Sequence, residues 1–164
     1  GESDMEGMGE SISNGLEVIQ ENGKTRIKVN AKNSEVSYVI DGIEYAADSL
    51  KNGIPDEIAT VNMITSPTNA KKSYIIINTK QKKGQFISYA NGVLKYKYNK
   101  QEYTLNPEKL EEPALIINNR LTRSFNIDPV QIIQIRPASE LERQLLGAPS
   151  AQVIIVTDKM GFFF

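Results

Sequence analysis

The sequence contains no cysteine, no histidine and no tryptophan. Without cysteine or histidine, a chain cannot form a catalytic triad that uses either residue, a structural zinc site, an iron–sulfur cluster or a thiol redox centre. A calcium or magnesium site made of carboxylates stays open, but no Asp-rich loop of the calcium-binding type is present. An aromatic content of 7% predicts a core built from isoleucine, valine and leucine. No cofactor or metal is predicted.

The apolar runs of the sequence are short. None approaches the roughly 18 residues of a membrane-spanning helix, so no membrane span is predicted. With 164 residues, 40% of them hydrophobic, and a net charge of −1, the composition is that of a globular protein of one large or two small domains. We interpret residues 1–12, which are small and acidic, as a flexible leader. Because the sequence begins with Gly1 rather than Met, we expect a processed or trimmed chain, from which any targeting segment would be missing.

Two hairpins are predicted where β-prone runs flank an Asn-Gly pair. Asparagine and glycine tolerate the positive φ angles of a two-residue hairpin turn. The flanking runs are residues 16–19 and 25–29 around Asn22-Gly23, and residues 86–90 and 93–98 around Asn91-Gly92.

The middle of the chain and its last third share an order of patterns. Each has an apolar strand, a Pro-containing turn and a closing apolar strand. These patterns occupy residues 38–42, 54–61 and 75–79 in the first copy, and residues 114–119, 128–135 and 153–157 in the second. Strand-centre positions Ile40, Ile76, Ile117 and Ile154 are predicted to be nearly fully buried.

Helical segments are predicted between these strands. Residues 46–51 have helical composition, and Pro55 suits the first position of a helical turn over 54–58. Ser139 and Glu142 form a capping box that predicts a helix ending at Gly147. We therefore predict an α+β fold in which a strand-helix-strand unit occurs twice in tandem, each copy preceded by a β-hairpin. The two units would be residues 13–83 and 84–164.

The first copy resembles the plug domain of TonB-dependent outer-membrane receptors. Its sequences YVIDG (38–42), IPDEIATV (54–61) and IIINTK (75–80) are similar to the family's VIDG strand end, NPDDIESIEVLK turn-strand and closing GVIIITTK strand. The match covers residues 36–83, with a fainter second copy over 113–161. The chain departs from the family in having no glycine over 65–72 and no barrel. The resemblance implies a plug-like fold and a Gram-negative envelope address, in the periplasm or at the cell surface, more than it implies transport.

No arrangement of residues predicts catalysis, and we interpret the protein as non-enzymatic. Asp41-Gly42 is typical of a tight turn between strands. The adjacent carboxylates Asp56-Glu57 and Glu111-Glu112 lie at a helix start and just before a proline, which are ordinary solvated positions.

The clearest charge feature lies between Glu57 and Glu102, an interval with eight lysines and no acidic residue. Tyrosines are interleaved with these lysines. The candidate interaction surface consists of Lys82, Lys83, Lys95, Lys97 and Lys100. Since Tyr96 alternates with Lys95 and Lys97, the tyrosines should face the core and the lysines the solvent.

Two functions stay open on these patterns. The first is a cell-envelope interaction module that contacts another envelope protein. The alternative is binding of a carbohydrate or an anionic headgroup through the lysine- and tyrosine-rich meander. Lysines can also decorate edge strands and discourage aggregation without binding anything. Nucleic acid is disfavoured as a partner because the interval contains no arginine, whose fork suits phosphate.

Overall fold

The computed structural model describes residues 12–13, 16–29, 35–50, 53–54, 56–81 and 86–157. These residues form two compact units that divide between Lys80 and Gln81. The predicted boundary between residues 83 and 84 falls in a segment outside the described residues, as do residues 1–11 of the predicted leader. Ile12, the last residue of that leader, belongs to the first strand.

The described residues are mostly β-sheet, with short helical segments, which is compatible with the predicted α+β class. The strands are β1 (Ile12–Ser13), β2 (Leu16–Glu21), β3 (Lys24–Val29), β4 (Glu35–Ile40), β5 (Ile43–Ala46), β6 (Ile58–Thr65), β7 (Lys72–Thr79), β8 (Ile87–Ala90), β9 (Val93–Tyr98), β10 (Gln101–Leu105), β11 (Leu115–Ile117), β12 (Arg120–Thr122), β13 (Ile132–Pro137) and β14 (Val153–Thr157). The α-helix is α1 (Glu140–Leu145), and 3-10 helices span Ala47–Leu50, Pro107–Lys109 and Pro129–Gln131.

The first unit contains two sheets. One is antiparallel with the order β1-β2-β3, and Asn22 and Gly23 join β2 to β3 with φ of 53° and 74°, which confirms the predicted hairpin. The other has the order β5-β4-β7-β6. In it β4 runs parallel to β7, while β5 and β6 run antiparallel to their neighbours. A β-bulge between Ile58 and Thr60 interrupts the pairing of β6 with β7.

One face of this second sheet carries the apolar core of the first unit. Its buried residues are Tyr38, Ile54, Ile58, Val61, Ile75 and Ile77. Ile75 and Ile77 are completely buried at the centre of β7. The predicted closing apolar strand over 75–79 therefore lies inside its sheet, between β4 and β6.

The second unit contains a meander and a four-stranded sheet. The meander has the order β10-β9-β8, and Asn91 and Gly92 join β8 to β9 with φ of 55° and 79°, as predicted. The four-stranded sheet has the order β12-β11-β14-β13, with β11 parallel to β14 and both outer strands antiparallel to their neighbours. A β-bulge between Ile132 and Gln134 interrupts the pairing of β13 with β14.

The meander and this sheet share one core. The buried members are Leu94, Tyr96, Leu115, Phe125, Ile135, Val153 and Ile155. Two aromatic pairs reinforce it, because Tyr96 stacks on Tyr103 with ring centroids 5.0 Å apart and Tyr89 stacks on Phe125 at 4.6 Å. Such contacts add to the stabilisation that comes from burial alone.

A side-chain clamp joins the end of the parallel pair of strands in each unit. In the first, the Thr79 backbone N–H and hydroxyl donate to the two carboxylate oxygens of Asp41 at 2.9 and 2.6 Å. In the second, the Thr157 N–H donates to Asn118 Oδ1 at 2.9 Å, and Asn118 Nδ2 donates to the Thr157 hydroxyl at 2.8 Å. Asp41 and Asn118 each begin a two-residue turn, with φ of 49° and 52°.

Helix α1 begins with the predicted capping box. The Ser139 hydroxyl accepts from the Glu142 N–H, and the Glu142 carboxylate accepts from the Ser139 N–H. The same carboxylate forms a bidentate ion pair with Arg136, both N–O distances being 2.6 Å. Arg136 and Glu142 are 1% and 2% exposed, and Gln134 Oε1 accepts from Arg136 Nε at 2.9 Å. The sequence predicted the cap but not this buried ion pair.

Three expectations about local structure were wrong in detail. A helical turn over 54–58 does not form, since Ile54 takes part in a β-bridge and Ile58 already begins β6. The segment 46–51 forms a 3-10 helix over Ala47–Leu50. Neither run is long enough to repay the entropy of nucleating an α-helix. Ile76 and Ile154 are buried as predicted, but Ile40 and Ile117 are only partly buried because each ends its strand at a turn.

The turn between β9 and β10 gives a prediction about stability. Its residues Asn99 and Lys100 have φ of 51° and 68°, the left-handed region that a β-carbon disfavours by about 1 kcal/mol. Replacing Lys100 with glycine should therefore raise the free energy of unfolding by about 0.5–1 kcal/mol, measured by urea titration. The control is Lys97→Gly in the neighbouring strand, which should lower it by about the same amount. Destabilisation by Lys100→Gly would contradict this account of the turn.

Candidate functional site

The predicted lysine surface is partly assembled on the outer face of the meander. Lys95 and Lys97 lie two residues apart on β9 and both are exposed, and Lys100 is exposed in the following turn. Lys82 and Lys83 lie outside the described residues. The structure thus brings Lys95 and Lys97 onto one face, with Lys100 beyond the end of the strand.

The neighbours of these lysines limit the charge that the face carries. Ser88 and Thr104 flank Lys95 in register, and Glu102 lies directly opposite Lys97. Opposite charges at facing positions of an antiparallel pair attract each other and reduce the local net charge. Phe86, whose carbonyl accepts from the Lys97 N–H at 3.1 Å, is 54% exposed beside them.

The tyrosines of the meander lie on the opposite face, as predicted. Tyr96 is 2% exposed, and burial raises the pKa of its hydroxyl well above the ordinary value. Its stacking partner Tyr103 is partly buried. Lysine and tyrosine therefore do not form one shared surface on β9, and Tyr96 cannot serve as a platform for a sugar ring.

The carboxylate pairs that the sequence showed do not converge on a site. Glu57 forms an exposed ion pair with Lys80 at 3.1 Å, and Asp56 beside it is exposed. Glu111 and Glu112 are also exposed. Among the residues that the structure describes, no cluster of three acidic side chains could hold a metal ion.

The sequence did not predict the most apolar exposed strand, which is β5. All four of its side chains are exposed, and Ile43 and Tyr45 are 59% and 37% exposed on the same face. They extend the face that carries Tyr38 and Ile40, which lie opposite them on β4. Glu44, on the other face, forms an ion pair with Lys72 at 3.4 Å. The alternation Ile-Glu-Tyr after an Asp-Gly turn is the signal that could have revealed this strand.

Lys72 also contacts an aromatic ring in the first unit. Its Nζ lies 4.9 Å from the centroid of Tyr74, a distance at which a cation is attracted to the ring face. The Tyr74 side chain, followed by the Glu44 carboxylate, raises the pKa of Lys72. Lys72 on β7 thus contacts Glu44 on β5 as well as the Tyr74 ring.

The backbone of β5 has one paired and one open edge. Ile43 and Ile40 flank a two-residue turn and so form a hydrogen-bonded pair, after which the pairing alternates along the strand. Glu44 consequently directs its N–H and C=O away from β4. Within the described part of the chain, β5 is an outer strand of its sheet. An outer strand with this arrangement can accept a further strand by backbone hydrogen bonding.

No protein-family model, no curated protein and no solved structure matches this chain. In the part that the structure describes, no helix has the length and apolar character needed to cross a membrane. A function must therefore be inferred from the surfaces themselves.

The lysine surface gives a prediction about polyanions. With two exposed lysines facing one glutamate, binding to heparin or to anionic lipid vesicles should be weak and should disappear as salt rises to about 0.15 M, where charges are screened within about 8 Å. Lys95→Gln with Lys97→Gln should abolish it, whereas Lys109→Gln, a single exposed lysine outside the meander, should not. Cosedimentation at two salt concentrations measures this. Tight binding that persists at high salt would contradict it.

Proposed function

We propose that the protein is a non-enzymatic interaction module of a Gram-negative cell envelope that binds another envelope protein through strand β5. The observation that carries this proposal is the exposure of Ile43 and Tyr45 on an outer strand whose backbone has an open edge. A large apolar side chain at every second position is what a strand-addition site offers, because backbone hydrogen bonds supply affinity and alternate side chains supply specificity.

The chemistry of β5 defines the partner that would fit. The added strand would need apolar residues at alternate positions to cover Ile43 and Tyr45. On its other face, it would pass Glu44, whose charge is already balanced by Lys72. We therefore infer an extended, alternately apolar segment of another protein rather than a charged surface. The alternative function, binding of an anionic headgroup by lysines, has weaker support because Glu102 faces Lys97.

We also propose that the two four-stranded sheets arose by duplication of one plug-like unit. Both sheets have an outer strand that returns antiparallel after a two-residue turn and a parallel central pair. In both, the other outer strand begins with a bulge in its antiparallel pairing. Both have an Asp or Asn that begins the turn and binds a threonine at the end of the parallel partner strand. Shared order, irregularity and clamp together support duplication better than apolar composition alone.

If the two clamps are equivalent, their residues should be interchangeable. Asp41→Asn and Asn118→Asp should each change the free energy of unfolding by less than about 1 kcal/mol, because a threonine hydroxyl can either donate or accept. Asp41→Ala and Asn118→Ala should each cost about 1–3 kcal/mol, since they remove the clamp and leave alanine at positive φ. Chemical denaturation measures all four. A large loss of stability in Asp41→Asn or Asn118→Asp would contradict the equivalence of the two clamps.

The strand-addition proposal is tested by blocking the open edge of β5. Glu44→Pro removes an outward N–H without removing a hydrogen bond to β4, so the sheet should survive while binding is lost. Glu44→Gln removes the charge but keeps the N–H, and should still bind. A photo-crosslinking residue at position 43 in the native bacterium, followed by fractionation, would identify the partner and its compartment.

A matched control exists in the second unit. Leu121 occupies the corresponding position of β12, opposite Ile116, so Leu121→Pro should leave crosslinking at position 43 unchanged. Crosslinking that survives Glu44→Pro in a folded protein would refute strand addition. A crosslink between two copies of this chain would replace the proposed partner by self-association, and a cytoplasmic partner would refute the envelope address.

A further inference from the structure

A shallow groove of about 400 Å³ lies beside the β11–β12 hairpin in the second unit. Two partly buried isoleucines supply its apolar surface, and hydroxyl, amide and guanidinium groups supply its polar surface. These residues are Ile117, Ile127, Arg120, Thr122, Ser124 and Asn126. No sequence pattern marked this groove, because its members come from the end of β11, a turn, strand β12 and the loop that follows it.

The walls of the groove are held in place by the fold. Ile117 and Ile127 pack against the core that the meander shares with the sheet. Asn118, which also lines the groove, is fixed by its clamp to Thr157. The Thr122 hydroxyl accepts from the Ser124 N–H at 3.3 Å, which shapes the loop after β12. The groove therefore exists before a ligand arrives, which lowers the cost of ordering it.

The residues that line the groove carry one positive charge, on Arg120, and no negative charge. Arg120 is exposed, and among the described residues no hydrogen-bond or ion-pair partner faces its guanidinium. No aspartate or glutamate lines the groove. The nearest acid in sequence, Asp128, uses its carboxylate to accept from the Val130 N–H at 3.1 Å. A free guanidinium fork is shaped to bind a carboxylate with two parallel hydrogen bonds.

We propose that this groove binds a carboxylate-bearing sugar residue. The carboxylate would pair with Arg120, the ring hydroxyls would exchange hydrogen bonds with Ser124 and Asn126, and the apolar ring face would lie on Ile117 and Ile127. One cation, several neutral hydrogen-bonding groups and two aliphatic surfaces match the three kinds of surface on an acidic sugar. This site uses no residue of strand β5 and does not depend on the proposed function.

The first experiment is a ¹H–¹⁵N NMR titration of the full chain with sodium glucuronate. Saturable shifts should be confined to the β11–β12 hairpin and the loop through Ile127. Glucose, which lacks the carboxylate, and acetate and inorganic phosphate, which lack the ring, should give much smaller shifts at equal concentration. Equal shifts with acetate or phosphate would overturn the sugar assignment in favour of a general anion site, and no saturable shift with glucuronate would overturn the proposal.

The second experiment uses variants. Arg120→Gln should weaken glucuronate binding about tenfold, and Arg120→Lys should give an intermediate loss because it keeps the charge without the fork. Lys109→Gln, which removes an exposed cation that does not line the groove, should bind like the original protein. If Arg120→Gln does not fold, Asn126→Ala takes its place and should weaken glucuronate more than acetate. Unchanged binding in folded Arg120→Gln, or an equal loss in Lys109→Gln, would overturn the proposal.

Discussion

Replacing Glu142 with glutamine should lower the free energy of unfolding by about 3–5 kcal/mol, because it removes the carboxylate that pairs with the buried guanidinium of Arg136. The two groups are 1% and 2% exposed and make two N–O contacts of 2.6 Å. Glutamine keeps the size of the side chain and can still take the third position of a capping box. The loss of stability therefore measures the contribution of the buried ion pair and not that of the helix cap.

A matched control lies on the same helix. Glu140 is exposed and has no part in the ion pair, so Glu140→Gln should change stability by less than about 0.5 kcal/mol. The double variant Arg136→Met with Glu142→Leu should recover much of the loss, since a buried pair can often be replaced by apolar residues of similar volume. Urea denaturation measures each variant. A loss below about 1 kcal/mol for Glu142→Gln would mean that the charge of Arg136 is balanced elsewhere.

Truncating Ile75 to alanine should cost about 2–5 kcal/mol, because it removes a fully buried side chain at the centre of β7 and leaves a cavity in the core of the first unit. Ile43→Ala in the same sheet makes the same chemical change at a side chain that is 59% exposed, and should cost less than about 1 kcal/mol. Thermal or chemical denaturation measures the stability of the two variants, which differ in the burial of the truncated side chain. Similar losses in both would show that β5 is covered, and would also weaken its proposed role in binding.

Much of the local structure follows from short sequence signals. Asn22-Gly23, Asp41-Gly42 and Asn91-Gly92 all form turns with positive φ, as their residue types predict. The alternation on β9 correctly placed Tyr96 inside and Lys95 outside. These successes share a cause, since turn chemistry and a period of two are set by neighbours in the sequence.

The surfaces that could bind a partner were harder to predict. Ile43 and Tyr45 look like core residues in the sequence, and only the position of β5 at the edge of its sheet leaves them exposed. Arg136 looks like a surface residue, and only the register of β13 and the fold of α1 place it beside Glu142. Which strand is outermost, and which face a helix covers, depend on contacts between distant parts of the chain that no local pattern records.

The parallel pairing of central strands has a consequence for folding kinetics. Glu35 pairs with Lys72, a separation of 72 − 35 = 37 residues, and Leu115 pairs with Val153, a separation of 153 − 115 = 38. A hairpin closes a loop of two residues and forms within microseconds. Pairing strands that are 37 or 38 residues apart must close a longer loop, which costs more conformational entropy. We expect the hairpins to form early and the two parallel pairs late. Until β7 docks, the uncharged run YIIINT at 74–79 stays available to other chains, so refolding yield should fall as protein concentration rises.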